Sequence, residues 1–185
     1  MRTSRVITWD VSGSGGYETA WVDLDERRLR ARGRAVGTVP ETYWISYALD
    51  TGDGFVTRRL LVEAATTHGI HLLDLRHDGE GRWTANGERI PHIDGALDCD
   101  LGLCPLTNTM PVLRHGLHRT PGERELLMAW VSVPGLTVEP SRQTYTHLGR
   151  GLVGFASGDF RSDLEFDEDG CVVDYPGLAR RLTSR

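Results

Sequence analysis

The chain has 185 residues, of which 39% are hydrophobic and 22 are glycine, as in an ordinary soluble globular protein. We therefore predict one domain over residues 1–185 and exclude a chain that is disordered throughout. The formal net charge is −5, and every one of the 21 basic residues is arginine. A net negative charge disfavours a nucleic-acid partner, and the lack of lysine excludes any reaction that needs a lysine side chain.

Short β-strands separated by turns are predicted along the whole chain. In the first half we expect strands over 17–24, 29–36, 42–49, 55–66 and 70–76, then a hairpin of 82–84 and 88–90 around Asn86-Gly87. Asn-Gly is a strong hairpin signal because both residues tolerate a positive φ. In the second half we expect strands over 125–133, 136–138, 142–148, 151–156, 163–166 and 171–175.

The fold class follows from this succession of strands. No ten-residue run has apolar residues at helical spacing, so the chain is predicted to be all-β, an antiparallel meander. Helix is expected only as a short turn in the C-terminal tail, over 176–182. The apolar run 126–131 predicts a central strand that is covered on both faces. The strand 55–66 mixes aliphatic and charged residues, which fits either a sheet curved around a cavity or an irregular edge strand.

The termini, cysteines and histidines carry further expectations. The first ten residues lack the apolar run of a signal peptide, and no segment is long and apolar enough to span a membrane, so we expect a cytoplasmic protein. Three cysteines without CxxC spacing predict free thiols. The histidine pairs 68/71 and 115/118 fall in predicted strands or turns, where this spacing does not align metal ligands. We therefore predict no metal and, without a nucleotide-binding motif, no cofactor.

Two polar segments allow more than one interpretation. Asp98 and Asp100 are two residues apart, so a strand places them on one face, with Cys99 on the other. They are interpreted as an acid–base pair, as part of a cation site, or as aspartates that are solvated or paired with arginine. The segment 107–109 is either a hydrogen-bonded plug or a set of neutral donors for sugar or phosphate groups.

Several segments, in this order, resemble a known family. They are Gly16-Tyr17-Glu18, the block from Asp98-Cys99-Asp100 through Pro105-Leu106-Thr107-Asn108-Thr109-Met110-Pro111, Arg142-Gln143-Thr144-Tyr145, and the stretch 167–178 with its Asp-Gly turn and Tyr175-Pro176-Gly177-Leu178. Together they resemble the bacterial family of uncharacterised proteins named putative glycolipid-binding, over residues 9–181. The resemblance implies a long antiparallel sheet curled into an incomplete β-barrel, similar in shape to the periplasmic lipoprotein carriers of the Lol type. Leu106 and Ala179 stand where the family pattern has Phe, so a cavity of different width and stacking character is expected.

The function that the resemblance implies is the binding of a glycolipid or another lipid-like amphiphile in the concavity of the curled sheet. On residue type and strand face, we expect Arg58, Asn108 and Arg142 at the polar end of the ligand. The apolar wall is expected from an aromatic set: Trp44, Trp83, Trp130 and Tyr145. The alternative for each tryptophan is ordinary core packing.

Two further hypotheses remain open at this stage. The first is an enzyme of hydrolase or isomerase type that uses Asp98, Asp100 and Glu18 in the same cavity, which requires a carboxylate with a raised pKa. The second is a structural or interaction protein whose interior is filled and which binds no ligand. In either case we expect neither nucleic acid nor a membrane span, and we favour a monomer over an oligomer.

Overall fold

A computed structural model describes residues 3–183, and nearly every segment of it contributes to a single fifteen-stranded sheet. In chain order, the strands are Thr3–Val11 (β1), Gly16–Leu24 (β2), Leu29–Gly37 (β3), Tyr43–Thr51 (β4), Thr57–Thr66 (β5), Gly69–His77 (β6), Trp83–Ala85 (β7), Glu88–Arg89 (β8), Asp98–Leu101 (β9), Glu123–Val131 (β10), Val138–Gly149 (β11), Leu152–Ser157 (β12), Phe160–Phe166 (β13), Val172–Tyr175 (β14) and Ala179–Arg181 (β15).

The order of strands across the sheet divides the molecule into two meanders. The N-terminal half, β1 to β8, and the C-terminal half, β9 to β15, are joined where β1 pairs with β15. Neighbouring strands are antiparallel except β9 and β10, which are parallel. The sheet curls but does not close into a barrel, so its edges are β8 and β9. The prediction of an all-β meander curled into an incomplete barrel is therefore confirmed.

Alternation along β3 shows how the sequence determines the two faces. Leu29, Ala31 and Ala35 point inward and are buried, whereas the arginines between them are exposed on the outer face. The inward positions also include Gly33, where an added Cβ would lie 2.1 Å from Cζ of Tyr47. The Tyr47 ring thus lies directly on the strand backbone, and only glycine permits this close approach.

The connection between the parallel strands β9 and β10 fills part of the concave side. It contains a 3₁₀ turn, Pro105–Asn108, followed by the one α-helix among residues 3–183, Thr109–His115 (α1). Leu106, Met110 and Val112 are fully buried. The helix ends at Gly116, whose φ of +65° is the left-handed conformation that glycine adopts at many helix ends. No helix within residues 3–183 is long and apolar enough to cross a membrane.

The helix predictions were wrong in both position and extent. The C-terminal tail forms β15, in which Arg181 and Arg180 pair with Trp9 and Asp10 of β1, so pairing with a distant strand overrides the local signal. The helix that exists, α1, has seven residues and is too short to show helical periodicity over ten.

Three strand predictions also needed correction. The strand β1 was missed, and the segments predicted as 136–138 and 142–148 form parts of the single strand β11. The apolar strand β10 is not central but lies next to the edge strand β9. Its Met128 and Ala129 are nevertheless fully buried. The connection that precedes β9 packs against both β10 and β11, and its His92 Nε2 lies 3.0 Å from the carbonyl oxygen of Val138 in β11.

Candidate binding cavity

A cavity of about 620 Å³ lies on the inner side of the C-terminal half, between the 3₁₀ turn and strands β10 to β14. We call it the Asp100 cavity. Cavities of this size accommodate small-molecule ligands. Its polar lining consists of Asp100, Asn108, Ser141, Gln143 and Ser157, and its aromatic lining of Trp130, Phe155, Phe160 and Tyr175.

Two neutral side chains hold the Asp100 carboxylate. Thr107 Oγ1 donates to Asp100 Oδ1 at 3.0 Å, and Gln143 Nε2 donates to Asp100 Oδ2 at 2.6 Å. Burial raises the pKa of Asp100, and these two hydrogen bonds lower it by less. A carboxylate has about four acceptor positions, so Asp100 retains capacity to accept hydrogen bonds from a ligand.

The Tyr145 hydroxyl connects the amide side chains of the cavity. It lies 3.0 Å from Asn108 Oδ1 and 2.9 Å from Gln143 Oε1, and it is buried completely. A phenol has a single proton, so Tyr145 donates to one of these oxygens at a time. The other amide oxygen is then an acceptor for a ligand hydroxyl. Nearby, Ser141 Oγ and Ser157 Oγ lie 3.3 Å apart and add two hydroxyl groups.

Aromatic rings form another part of the cavity lining. The Phe155 ring contacts those of Tyr145 (centroids 5.2 Å apart), Tyr175 (5.8 Å) and Phe160 (6.1 Å) in edge-to-face arrangements. The side chain of Phe160 is 46% exposed, which places it at the mouth of the cavity. Trp130 lies beside Gly102, where its indole ring would be 3.5 Å from an added Cβ. The lining of the cavity thus has a polar part and an aromatic part.

Only some of the predicted site residues come together here. Asn108, Trp130 and Tyr145 line or support the Asp100 cavity, as described above. Arg58 is exposed, and its Nη1 donates to the carbonyl oxygen of Asp78 at 2.9 Å. Arg142 points to the opposite face of β11 from Gln143; its side chain is 75% exposed and it pairs with Glu125 at 3.3 Å.

The remaining two predicted residues, both tryptophans, lie in the N-terminal half. Trp44 is exposed on the outer face of the sheet. Trp83 is completely buried, donates from Nε1 to the Ala96 carbonyl oxygen at 2.9 Å, and stacks on His77 with ring centroids 4.7 Å apart. These contacts are those of a core residue.

Sequence reasoning missed several residues of the cavity. Gln143 is two residues from Tyr145 and therefore shares its strand face, but Arg142 was the residue predicted at the polar end. Phe155, Phe160 and Tyr175 belong to three different strands, and only the pairing of β12, β13 and β14 brings them together. No local signal in the sequence marks them as neighbours.

The three carboxylates of the enzyme hypothesis have separate partners. Asp98 is buried against Arg114, whose Nη1 donates to Asp98 Oδ1 at 2.8 Å. Burial raises the pKa of Asp98, and Arg114 lowers it by less. Glu18 accepts a hydrogen bond from the Tyr47 hydroxyl and interacts with the backbone N–H of Leu106. Burial raises the pKa of Glu18 to about 7.

Glu18 and Asp100 therefore hold the same 3₁₀ turn from two sides. Glu18 contacts it at Leu106, and Asp100 contacts it at Thr107. The 3₁₀ turn also positions Asn108 beside Tyr145 in the cavity. This arrangement gives both carboxylates a role in positioning the cavity wall.

Possible metal ligands and nucleophilic thiols are the other reactive groups of the structure. Among residues 3–183, no three His, Cys, Asp or Glu side chains cluster as metal ligands. All three cysteines are free and buried. Burial raises the pKa of Cys99 to about 12 and that of Cys104 well above its ordinary value, so neither thiol is activated as a nucleophile.

The comparison with protein families identifies the chain. A family model described as "Putative glycolipid-binding" matches residues 6–181. The chain belongs to this family. It is also similar to the crystal structure of a DUF1089 family protein from Pseudomonas aeruginosa, with 30% sequence identity and a TM-score of 0.77 over 89% of this chain and 92% of that chain. No functionally curated protein matches.

The segments that resemble the family are few, and they come together around the Asp100 cavity in the folded chain. Asp100 and Asn108 line it from one segment, and Gln143 and Tyr175 line it from two others. Glu18, from the first segment, supports the 3₁₀ turn behind it.

Proposed function

We propose that the protein binds an amphiphile with a neutral, hydroxyl-rich head group in the Asp100 cavity. The head group hydrogen-bonds to Asp100, Gln143 and Asn108, and the apolar part of the ligand packs against the aromatic part of the lining. The observation that carries this proposal is the pairing of a polar part with an aromatic part in the lining of one cavity. The description of the family supports a sugar as the head group.

The charge of the cavity supports a neutral head group over an anionic one. The lining contains the Asp100 carboxylate and amide or hydroxyl groups, and no arginine is among its residues within 3–183. A phosphate or carboxylate head group would meet Asp100 without a compensating cation, which is costly in a poorly solvated site. Sugar hydroxyls donate and accept hydrogen bonds, as this set of side chains requires.

The proposal keeps three of the residues predicted from the sequence, namely Asn108, Trp130 and Tyr145. It replaces the expected arginines with Asp100 and Gln143 at the polar end. It adds Phe155, Phe160 and Tyr175 to the wall. Burying each ligand methylene against this wall contributes about 0.8 kcal/mol, before the costs of association are subtracted.

Two probes with equal chains and different heads test the proposal. Octyl glucoside and octanoate are titrated into the protein below their micelle concentrations, and binding is measured by calorimetry. We expect the glucoside to bind at least about ten-fold more tightly, a difference of about 1.4 kcal/mol. Binding of neither probe, or equal binding of both, would contradict the proposal.

Variants then locate the site. Asp100→Asn removes a charged acceptor and Phe160→Ser removes an apolar contact at the mouth, so each is expected to weaken glucoside binding about ten-fold. The matched control is Leu148→Ser, whose side chain is 49% exposed, close to the 46% of Phe160, but lies outside the cavity lining. Equal losses in Phe160→Ser and Leu148→Ser would show that the probe binds elsewhere.

A further inference from the structure

The side of strands β1 to β6 that points away from the core exposes large apolar side chains to solvent. We call this surface the outer face. An antiparallel sheet normally presents polar residues to water, and large exposed apolar patches mark interaction sites. The apolar residues concerned are between 39% and 65% exposed: Val6, Tyr17, Trp21, Val36, Trp44, Leu61, Ile70 and Leu72.

The strand register makes part of this set contiguous. Tyr17 pairs with Val36, Val36 with Trp44, Trp44 with Ala65, and Ala65 with Ile70. These residues form one apolar row across five neighbouring strands. A groove of about 540 Å³ follows part of the row, and a shallow depression of about 1380 Å³ lies beside it over Trp21, Arg32 and Ala48.

The charges on the outer face are balanced. Arginines and carboxylates are equal in number there: Arg30, Arg32, Arg34, Arg59 and Arg76 against Asp10, Asp23, Asp50, Glu63 and Asp74. An anionic membrane or a nucleic acid requires an excess of positive charge, which this face lacks. A surface with both signs can instead complement a copy of itself, as an isologous interface requires.

Arg34 and Glu63 occupy positions that suit such an interface. Both lie in the cross-strand row that passes through Ser46 of β4, Arg34 on one side and Glu63 on the other. Two strand spacings, about 9.5 Å, separate their backbones, and within residues 3–183 neither of them forms an ion pair. Each has an outward-facing charge without an opposite charge beside it.

We propose that the outer face binds a second copy of this chain, with the two-fold axis running along β4. This axis exchanges the positions of β3 and β5, so Arg34 lies opposite Glu63 of the partner subunit, and Glu63 lies opposite Arg34 of the partner subunit. It also brings Trp44 against Trp44 of the partner subunit and Tyr17 against Ile70 of the partner subunit. The apolar row of one copy thus packs against the apolar row of the other copy.

The size and shape of the outer face agree with a stable dimer. Six strands about 4.8 Å apart and nine residues long cover roughly 700 Å² on each copy, close to the roughly 800 Å² per partner of a standard interface. Stacked sheets keep their mean strand directions within about 30° of each other. A two-fold axis along β4 places the β4 strands of the two copies parallel, which meets this condition.

Charge reversal across the axis tests the proposal. Sedimentation velocity is measured over a range of concentrations for the wild type, Arg34→Glu, Glu63→Arg and the double variant. Each single reversal places like charges together twice and is expected to raise the dimer dissociation constant at least about ten-fold. The double variant restores opposite charges and is expected to return to within about three-fold of the wild type. Arg150→Glu, at an exposed arginine in the C-terminal half, is expected to match the wild type.

Three results would overturn the proposal. One is a wild-type protein that stays monomeric at several hundred micromolar. Another is a double variant that associates as weakly as the single variants. The third is a monomeric protein whose outer face binds phosphatidylglycerol vesicles in an Arg34-dependent manner. The affinity of each chain for octyl glucoside is expected to be equal in Arg34→Glu and wild type. The dimer proposal and the cavity proposal are therefore tested independently.

Discussion

The two halves of the sheet have different interiors although they are built from the same kind of strand. In the N-terminal half, large side chains such as Trp9, Leu60 and Trp83 are completely buried on the inner face. In the C-terminal half, Asp100 and Gln143 line a cavity together with aromatic rings. The difference shows that a curled sheet does not by itself determine whether its inner face is packed or lines a cavity.

The 3₁₀ turn and α1 are the elements that produce this difference. On the N-terminal side α1 packs tightly, with Thr57 Oγ1 3.7 Å from Met110 Sδ. On the C-terminal side the turn is held by hydrogen bonds from Thr107 to Asp100 and from Tyr145 to Asn108, and both Asp100 and Asn108 line the Asp100 cavity. The same connection therefore packs into the core of one half and lines the Asp100 cavity of the other.

The largest expected effect contrasts a tryptophan from each half. Trp83→Ala is expected to cost about 4 kcal/mol of unfolding free energy, because it empties a fully buried site. Trp130→Ala, at a half-buried position, is expected to cost less than half as much but to weaken octyl glucoside binding. Urea unfolding and calorimetry measure the two quantities. A greater loss of stability in Trp130→Ala would remove the distinction between the halves.

The second effect concerns pH and the carboxylate behind the 3₁₀ turn. Because burial raises the pKa of Glu18 from 4.5 to about 7, the folded state holds this proton to higher pH than the unfolded state. The stabilising contribution of Glu18 to the free energy of unfolding is complete below pH 4.5 and is lost as the pH rises through about 7. The unfolding free energy of Glu18→Gln relative to wild type is therefore expected to increase by about 3 kcal/mol over this range.

Urea unfolding of both proteins at several pH values provides the measurement. The raised pKa values of Asp98 and Asp100 act in the same direction as that of Glu18. The pKa values of His77, His115 and His118 are lowered by burial, so their contribution is lost as the pH falls. These groups are present in both proteins and cancel in the difference. A difference that does not change with pH would show that Glu18 is not the titrating group.

The smallest effect isolates one hydroxyl in the cavity. Tyr145→Phe removes the proton shared by Asn108 and Gln143 and is expected to cost about 1 kcal/mol of unfolding free energy. Because the amide side chains lose their common partner, octyl glucoside affinity is expected to fall about five-fold, or about 1 kcal/mol. Tyr17→Phe, at an exposed tyrosine of the outer face, serves as the control. Equal behaviour of the two variants would leave Tyr145 without a role in binding.

The sequence predicted much of the fold because strand signals are local. The strand over 29–36 and the Asn86-Gly87 turn were each predicted from neighbouring residues, and both are present as β3 and the β7–β8 hairpin. The tail was mistaken for helix because its strand partner, β1, lies at the other end of the chain. Local sequence signals do not predict a strand whose pairing partner is distant in the chain and has itself not been predicted.

The candidate site was less predictable for the same reason. Asn108, Trp130 and Tyr145 were proposed from residue type, and they contribute to one cavity. Arg58 and Arg142 were proposed on the same basis of residue type and strand face, but the structure places them on the surface. The sequence showed that Gln143 and Arg142 lie on opposite faces of one strand. It did not show which face was the inner one.

By itself, the sequence determined the fold class, the family and most strand boundaries, since each depends on residues close together in the chain. Only the tertiary structure decided that Asp100 faces a cavity, that Asp98 pairs with Arg114, and that the aromatic wall comes from β12, β13 and β14. The reason is physical. Hydrogen bonds and burial act between residues that are up to a whole chain apart, and the curl of the sheet sets which of them meet.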